Sequence, residues 1–142
     1  MDNQPFVIEH TYNAPVDKVW AALTDSALMK QWYFDLPGFK PQVGYEFEFL
    51  GGPPDREYRH KCKVTQAVEN KIIAYTWRYD GYAGESEVSF ELIPHGNKTT
   101  VKLTHKGLDT FDATNADFAK KNFAEGWTDI IGNGLKKFLE PA

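Results

Sequence analysis

The sequence predicts an α+β fold, in which a curved antiparallel sheet of about six or seven strands wraps one long C-terminal helix. Two hydrophobicity patterns carry this prediction. Between Tyr45 and His105, apolar and polar residues alternate with period two, as they do in strands with one buried face. The C-terminal segment instead repeats its apolar residues with a period close to that of an α-helix.

The N-terminal region predicts one strand followed by two short helices. Phe6–Tyr12 has strand character and ends at Asn13-Ala14-Pro15, where proline suits the first turn of a helix. Thr24-Asp25-Ser26 offers an N-cap for a second helix from Ala27 to about Trp32. The prolines and glycine that follow forbid a longer helix.

The central region predicts an antiparallel meander. Its alternating segments are Tyr45–Phe49, Tyr58–Val64, Ile73–Tyr79, Val88–Leu92 and Val101–His105. Turn residues such as Asp80-Gly81 lie between them. Because the alternate positions are largely charged or polar, we expect one face of the sheet to meet water and the other to be covered.

The C-terminal segment provides that cover. Thr114-Asn115-Ala116-Asp117 resembles a capping box, which predicts a helix from this point to about Leu139. The apolar stripe of the helix comprises Phe123, Trp127, Ile130, Ile131, Gly134 and Phe138. We expect this stripe to face the sheet.

Composition narrows the class of protein. The 142 residues are 42% hydrophobic with a net charge of −4, so we expect residues 1–142 to form one domain and nucleic acid to be a poor partner. The longest apolar run, Val19–Leu23, has five residues, whereas a membrane span needs roughly 20. A single cysteine, Cys62, and an N-terminus without signal-peptide character favour the cytoplasm.

The sequence lacks the spacings that mark common catalytic or metal sites. It contains no His-x-x-x-His, Cys-x-x-Cys or Gly-x-Ser-x-Gly. We therefore predict no catalytic residue, no metal site and no cofactor. His60, Cys62 and His105 share the inward parity of their strands. For both histidines we favour a role as satisfied core residues or as polar groups in a pocket.

Several spaced residue pairs, together with the order of elements, resemble a known family. They are Ala14-Pro15, Val19-Trp20, Leu23-Thr24-Asp25, Trp32, Tyr75-Thr76-Trp77, Thr99–Leu103, Gly126-Trp127, Leu135 and Leu139. Over roughly Phe6 to Leu139 the chain looks like the activator of heat-shock protein 90 ATPase homologue-like family, a branch of the START-like, or SRPBCC, superfamily. The resemblance implies a helix-grip fold that encloses a pocket for apolar or amphipathic small molecules.

The residues expected to line such a pocket come from the inward faces of the strands and from the helix stripe. They are Phe47, Tyr58, His60, Tyr75, Trp77, Tyr79, Phe90, His105, Phe123, Trp127, Ile130 and Gly134. The alternative is that they are simply core. Inward tyrosines favour a pocket because a buried phenol needs a hydrogen-bond partner. Gly134 leaves either a gap facing the sheet or a point of close packing or bending.

Three hypotheses for function follow. The first is binding of an apolar or amphipathic ligand between the long helix and the sheet, without catalysis. The second is a cyclase or aromatase acting on a bound polyketide-like substrate, with His60, His105 or a tyrosine as general acid or base. The third, inherited from the family name, is a stress-related regulator of a chaperone ATPase. It ranks last because 142 residues leave no room for the separate chaperone-binding domain of the larger eukaryotic activators.

Overall fold

Six strands form one sheet in which every neighbouring pair is antiparallel. The computed structural model describes residues 4–33, 36, 38–51, 57–112, 114–115 and 118–140. The strands are β1 (Phe6–Tyr12), β2 (Glu46–Gly51), β3 (Tyr58–Val68), β4 (Ile72–Tyr79), β5 (Ser86–His95) and β6 (Lys98–Lys106). Their order across the sheet is β1-β6-β5-β4-β3-β2. The predicted α+β class and the meander are confirmed.

Two short helices, α1 (Val16–Thr24) and α2 (Ser26–Trp32), lie between β1 and β2, as predicted. The Asp25 carboxylate accepts a hydrogen bond of 2.9 Å from the Ala27 N–H. This bond is the N-cap expected from Thr24-Asp25-Ser26. The carboxylate satisfies one backbone donor that the first turn of α2 leaves unpaired.

The C-terminal helix covers residues 120–139 and changes its winding along its length. It comprises α3 (Lys120–Asp129), a π-helical segment (Ile130–Leu135) and α4 (Lys136–Leu139). Phe123, Trp127, Ile131 and Leu135 are buried along its inner side. No helix in the described part of the chain is long and apolar enough to cross a membrane.

The C-terminal helix begins later than the sequence predicts. Its first residue is Lys120, and the N-cap position is Ala119, which has no side-chain cap. Thr114 does not cap the helix, because its N–H and its hydroxyl both donate to the Asp112 carboxylate, at 2.9 and 2.6 Å. Asp112 and Thr114 form a local turn that competes with helix formation. Ala116 and Asp117, the rest of the expected capping box, lie outside the described residues.

The alternation of burial follows the predicted parity of the strands. In β3, Tyr58, His60, Cys62 and Val64 are buried, while the neighbours between them are exposed or half-buried. The buried face points to the C-terminal helix, and the other face carries charged side chains. A β-bulge between Val64 and Gln66 shifts the register against β4, and bulges increase the local bend of a strand.

A buried hydrogen bond ties the edge strand β1 to the π-helical segment. The Tyr12 hydroxyl donates to the Ile131 carbonyl at 2.6 Å, and Tyr12 is completely buried. In a π-helical turn a carbonyl accepts from the N–H five residues on instead of four. The Tyr12 hydroxyl is an additional donor where the helix changes its winding.

We predict that Tyr12→Phe lowers the free energy of unfolding by about 1–2 kcal/mol, because the buried Ile131 carbonyl loses the hydrogen bond from the Tyr12 hydroxyl. Urea denaturation monitored by circular dichroism measures the change. Tyr45→Phe is the matched control, since the Tyr45 hydroxyl makes an exposed 3.0 Å bond to the Gly38 carbonyl. Equal losses in the two variants would show that the Tyr12 bond has no special role.

Candidate functional site

Most of the predicted pocket residues meet on the inner face of the sheet. The buried ones are Phe47, Tyr58, His60, Tyr75, Trp77, Tyr79, Phe90, His105, Phe123 and Trp127. Ile130 and Gly134 are partly exposed. The ten buried residues lie in the protein interior. That they bind a ligand stays a prediction.

A chain of hydrogen bonds runs through this interior from the C-terminal helix into three strands. The Trp127 indole N–H donates to His105 Nδ1 at 2.9 Å. His105 Nε2 lies 2.7 Å from Ser86 Oγ, and the Ser86 hydroxyl donates to the Trp77 carbonyl at 2.8 Å. These four residues come from α3, β6, β5 and β4, so the chain fastens the helix to the middle of the sheet.

The direction of each hydrogen bond determines the protonation state and the tautomer of His105. Because the indole can only donate, His105 Nδ1 must accept and therefore carries no proton. The ring proton sits on Nε2 and is donated to Ser86, whose own proton goes to Trp77. Burial lowers the pKa of His105 to about 3. A second ring proton would point at the Trp127 N–H, so the network requires the neutral imidazole.

His60 lies in a second part of the interior, among aromatic rings. Its ring stacks on Phe49 at 4.4 Å between centroids and makes T-shaped contacts with Trp77 and Tyr79 at 4.9 and 4.7 Å. His60 Nδ1 is 3.0 Å from the Tyr58 carbonyl, so this nitrogen carries the proton. Burial lowers the pKa of His60 to about 4. Both inward histidines are therefore uncharged at neutral pH.

Two tyrosine hydroxyls form the third polar feature of the interior. Tyr33 and Tyr75 lie with their oxygens 2.7 Å apart. Tyr33 follows α2, whereas Tyr75 is in the middle of β4. Burial raises the pKa of both phenols above their usual range, and the neighbouring Cys62 thiol adds to the shift. Burial likewise raises the pKa of Cys62.

Aromatic rings surround the tyrosine pair. Phe47 meets Tyr75 edge to face at 5.1 Å, and Phe39 meets Phe47 in the same way at 5.1 Å. Trp127 stacks on Tyr33 at 6.3 Å. Edge-to-face and offset stacks are the favourable arrangements for aromatic pairs. The phenol oxygens are thus polar groups in an aromatic wall, which is the composition typical of small-molecule sites.

Gly134 does not leave the gap toward the sheet that the sequence analysis considered. A Cβ atom built at Gly134 would lie 3.4 Å from the Trp32 carbonyl oxygen and 4.0 Å from the Trp32 ring. Gly134 therefore faces α2 and allows the two helices to approach closely. The cause is the π-helical winding, which rotates this position relative to the regular period used in the prediction. The structure shows close packing and a distorted helix at this position, but the packing is against α2 and not against the sheet.

Two residues of the interior were missing from the predicted set. Ser86 is buried at the start of β5 and points to the same side of the strand as Val88 and Phe90. The period-two alternation of β5 could therefore have identified it as an inward residue. Tyr33 lies past the end of α2 in a backbone conformation outside the regular regions. No hydrophobic period extends to Tyr33, and its position depends on tertiary packing.

The interior has few means of holding charge. Within the described part of the chain, no group of three or more His, Cys, Asp or Glu side chains could hold a metal ion. The described polar residues that are buried are Thr24, His60, Ser86, Thr99, Thr100 and His105. Hydroxyl, thiol and neutral imidazole groups can position a polar ligand, but a general base near neutral pH needs a higher pKa than either histidine has.

A separate groove of about 560 Å³ lies on the outer, charged face of the sheet. It is lined by Glu46, Phe47, Glu48, Lys61, Cys62, Lys63, Thr76, Arg78 and Glu85. Lys61 pairs with Asp80 at 3.5 Å beside the groove. Positively and negatively charged side chains both line this groove and are accessible to water, as expected for the solvated face of a sheet.

Comparison with known families gives one match over most of the chain. Residues 13–140 match the model of the family described as Activator of Hsp90 ATPase homolog 1-like protein. No curated protein matches the chain.

Solved structures share the fold. Protein MLL2253 from Mesorhizobium loti is 26% identical, with a TM-score of 0.78 over 98% of each chain. CV1439 from Chromobacterium violaceum is 21% identical, with a TM-score of 0.80 over 100% of each chain. DynU16, described as a putative protein in the dynemicin biosynthetic locus, is 21% identical with a TM-score of 0.78, over 99% of this chain and 48% of its own. These neighbours confirm the helix-grip architecture.

The two buried histidines predict how stability depends on pH. Their folded pKa values, about 4 and about 3, lie below the ordinary 6.5, so the unfolded chain binds more protons below about pH 6.5. The contribution of the two neutral histidines to the free energy of unfolding is therefore fully present above that pH and decreases as the pH falls. At about pH 5 we expect a loss of about 2 kcal/mol for each histidine relative to about pH 8. Urea denaturation across this range measures the loss.

His105→Asn separates the contribution of His105, because the amide oxygen can still accept from Trp127 but does not titrate. Between about pH 8 and about pH 5, we expect the free energy of unfolding of this variant to fall by about half as much as that of the parent. An unchanged decrease would contradict the assignment of a neutral, buried His105.

Proposed function

The chain belongs to the Activator of Hsp90 ATPase homolog 1-like family, and on that premise we propose that it binds an apolar or amphipathic small molecule between its C-terminal helix and the inner face of its sheet. The observation that supports this proposal most is the Tyr33–Tyr75 hydroxyl pair inside an aromatic wall. The bound molecule would contact that pair with a polar group and the surrounding rings with an apolar one.

The hydroxyl pair suits a ligand better than it suits a dry core. Tyr33 and Tyr75 place two hydroxyl groups side by side, and a hydroxyl can both donate and accept a hydrogen bond. An apolar residue pair would pack equally well without desolvating two hydroxyls.

The π-helical segment is a second support. Such segments are rare and occur frequently at functional sites. Here the segment Ile130–Leu135 contains Gly132 and Gly134, although each glycine costs about 1 kcal/mol relative to alanine in a helix. Gly134 allows the backbone of Trp32 to approach, and Trp32 directly precedes Tyr33. The distortion of the helix thus helps to place the phenol that we assign to ligand binding.

The enzyme hypothesis gains less support from the same residues. Both ring nitrogens of His105 are occupied by structural hydrogen bonds. His60 is stacked and edge-packed among Phe49, Trp77 and Tyr79. No described carboxylate is buried beside either ring. Positioning of a ligand therefore fits these groups better than proton transfer does.

We predict that the uncharged fluorescent dye Nile red binds the protein with a saturable, one-to-one increase in emission. Cys62→Phe should weaken binding about tenfold or more, because the larger side chain would occupy the proposed ligand position beside the tyrosine pair. Leu50→Phe is the matched control, since Leu50 is 52% exposed and should bind the dye as the parent does.

Thermal melting verifies that both variants are folded. Cys62→Val, which changes the volume less, serves as a second variant if Cys62→Phe does not fold, and it should bind the dye with nearly the affinity of the parent. Absence of saturable binding to the parent, or equal binding to Cys62→Phe and Leu50→Phe, would refute the proposed function.

A further inference from the structure

The outer face of the sheet carries a cluster of positive charge that the proposed function does not use. Lys61 on β3 lies directly opposite Arg78 on β4, and Lys63 lies two residues further along β3, on the same face. Directly opposite side chains in neighbouring strands have Cβ atoms about 4.5–5.5 Å apart, and like charges at such positions are destabilising. Negative charge near these side chains would therefore be stabilising.

Carboxylates of the protein compensate this cluster only in part. Lys61 pairs with the Asp80 carboxylate at 3.5 Å. Among the described residues, no carboxylate lies within ion-pair distance of Lys63 or Arg78. Both of these side chains are exposed, so an anion from solution can reach them.

A threonine hydroxyl adds a third donor to the cluster. The Lys63 backbone N–H donates to Thr76 Oγ1 at 3.0 Å, beside the β-bulge between Val64 and Gln66. This bond uses a lone pair of Thr76 and leaves its O–H proton for another acceptor. Within the described part of the chain, that proton has no hydrogen-bond acceptor.

These donors line the groove of about 560 Å³ on the outer face. The order of the strands places Glu46, on β2, at one side of the cluster and Glu85, just before β5, at the other. An extended anion such as a nucleic acid or an anionic membrane would meet these two carboxylates as well as the cations. A compact anion between β3 and β4 meets the cations first.

The charge of the whole chain also favours a compact anion. The formal net charge is −4, so the overall field of the protein repels anions. Attraction of an anion must come from the local arrangement of Lys63, Thr76 and Arg78.

We propose that this groove binds the phosphate group of a small, soluble phosphate monoester. Lys63 and Arg78 donate charge-assisted hydrogen bonds to the phosphate oxygens, and the Thr76 hydroxyl donates a neutral one. A phosphate monoester has three terminal oxygens for these three donors, whereas a carboxylate has two. The groove lies on the outer face of the sheet, so the proposal does not depend on ligand binding in the interior.

Titration with glycerol 3-phosphate, followed by ¹H–¹⁵N NMR at constant ionic strength, tests the proposal. At about pH 8 the phosphate group is a dianion, because its second pKa is about 6. We expect saturable shifts of the backbone amide signals of residues 61–63 and 76–78. Acetate should need a concentration about tenfold or more higher to produce the same shifts, because it carries less charge and fewer acceptors.

Variants separate the groove from general charge effects. Arg78→Gln and Lys63→Gln should each weaken the binding of glycerol 3-phosphate about fivefold or more, because each removes a charge-assisted hydrogen bond. Lys121→Gln is the matched control, since it changes the net charge equally but lies exposed on α3. It should bind glycerol 3-phosphate as the parent does.

Vesicles of phosphatidylcholine that contain phosphatidic acid present the same phosphate monoester on a membrane. We expect no co-sedimentation of the protein with these vesicles, because a flat anionic surface also meets Glu46 and Glu85. Binding to the vesicles without binding of glycerol 3-phosphate would overturn the assignment to a soluble ligand.

Three other results would also overturn the proposal. They are the absence of saturable shifts with glycerol 3-phosphate, equal shifts with acetate at the same concentration, and equal weakening by Lys121→Gln and Arg78→Gln. None of these results affects the binding of Nile red, so failure of this proposal is distinguishable from failure of the proposed function.

Discussion

The hydrogen bond from the Trp127 indole to His105 is the interaction on which the rest of the interior depends. It joins the C-terminal helix to β6, and through Ser86 it continues to β5 and to the Trp77 carbonyl on β4. Since each donor in this chain has one acceptor, the imidazole is held in its neutral form. The same bond that fastens the helix therefore also keeps the His105 imidazole uncharged.

Backbone distortions help to place the described polar groups of the interior. The π-helical segment brings the Ile131 carbonyl to the Tyr12 hydroxyl. Gly134 lets α2 approach the helix through Trp32, and the chain then places Tyr33 against Tyr75. Packing, hydrogen bonding and the candidate ligand position are thus consequences of one arrangement of the C-terminal helix.

The sequence predicts well which side of each strand or helix is buried. It predicts poorly which residues of different elements contact each other. Period two identifies Tyr75, Trp77 and His105 as inward residues because a strand side chain has only two directions to point. It does not show that His105 meets Trp127, because that contact depends on how the helix lies on the sheet. The regular helical period misplaces Gly134, since winding changes at Ile130. No hydrophobic period predicts the position of Tyr33, because this residue lies in irregular backbone.

Direct observation of the His105 ring by ¹⁵N NMR tests this account at its central point. The neutral imidazole should carry its proton on Nε2, with Nδ1 unprotonated and hydrogen-bonded to the Trp127 N–H, and its signals should stay unchanged from about pH 8 to about pH 5.5. A ring that is protonated on Nδ1, or that titrates near the ordinary pKa of 6.5 while the protein stays folded, would contradict both the Trp127–His105 hydrogen bond and the neutral state of His105.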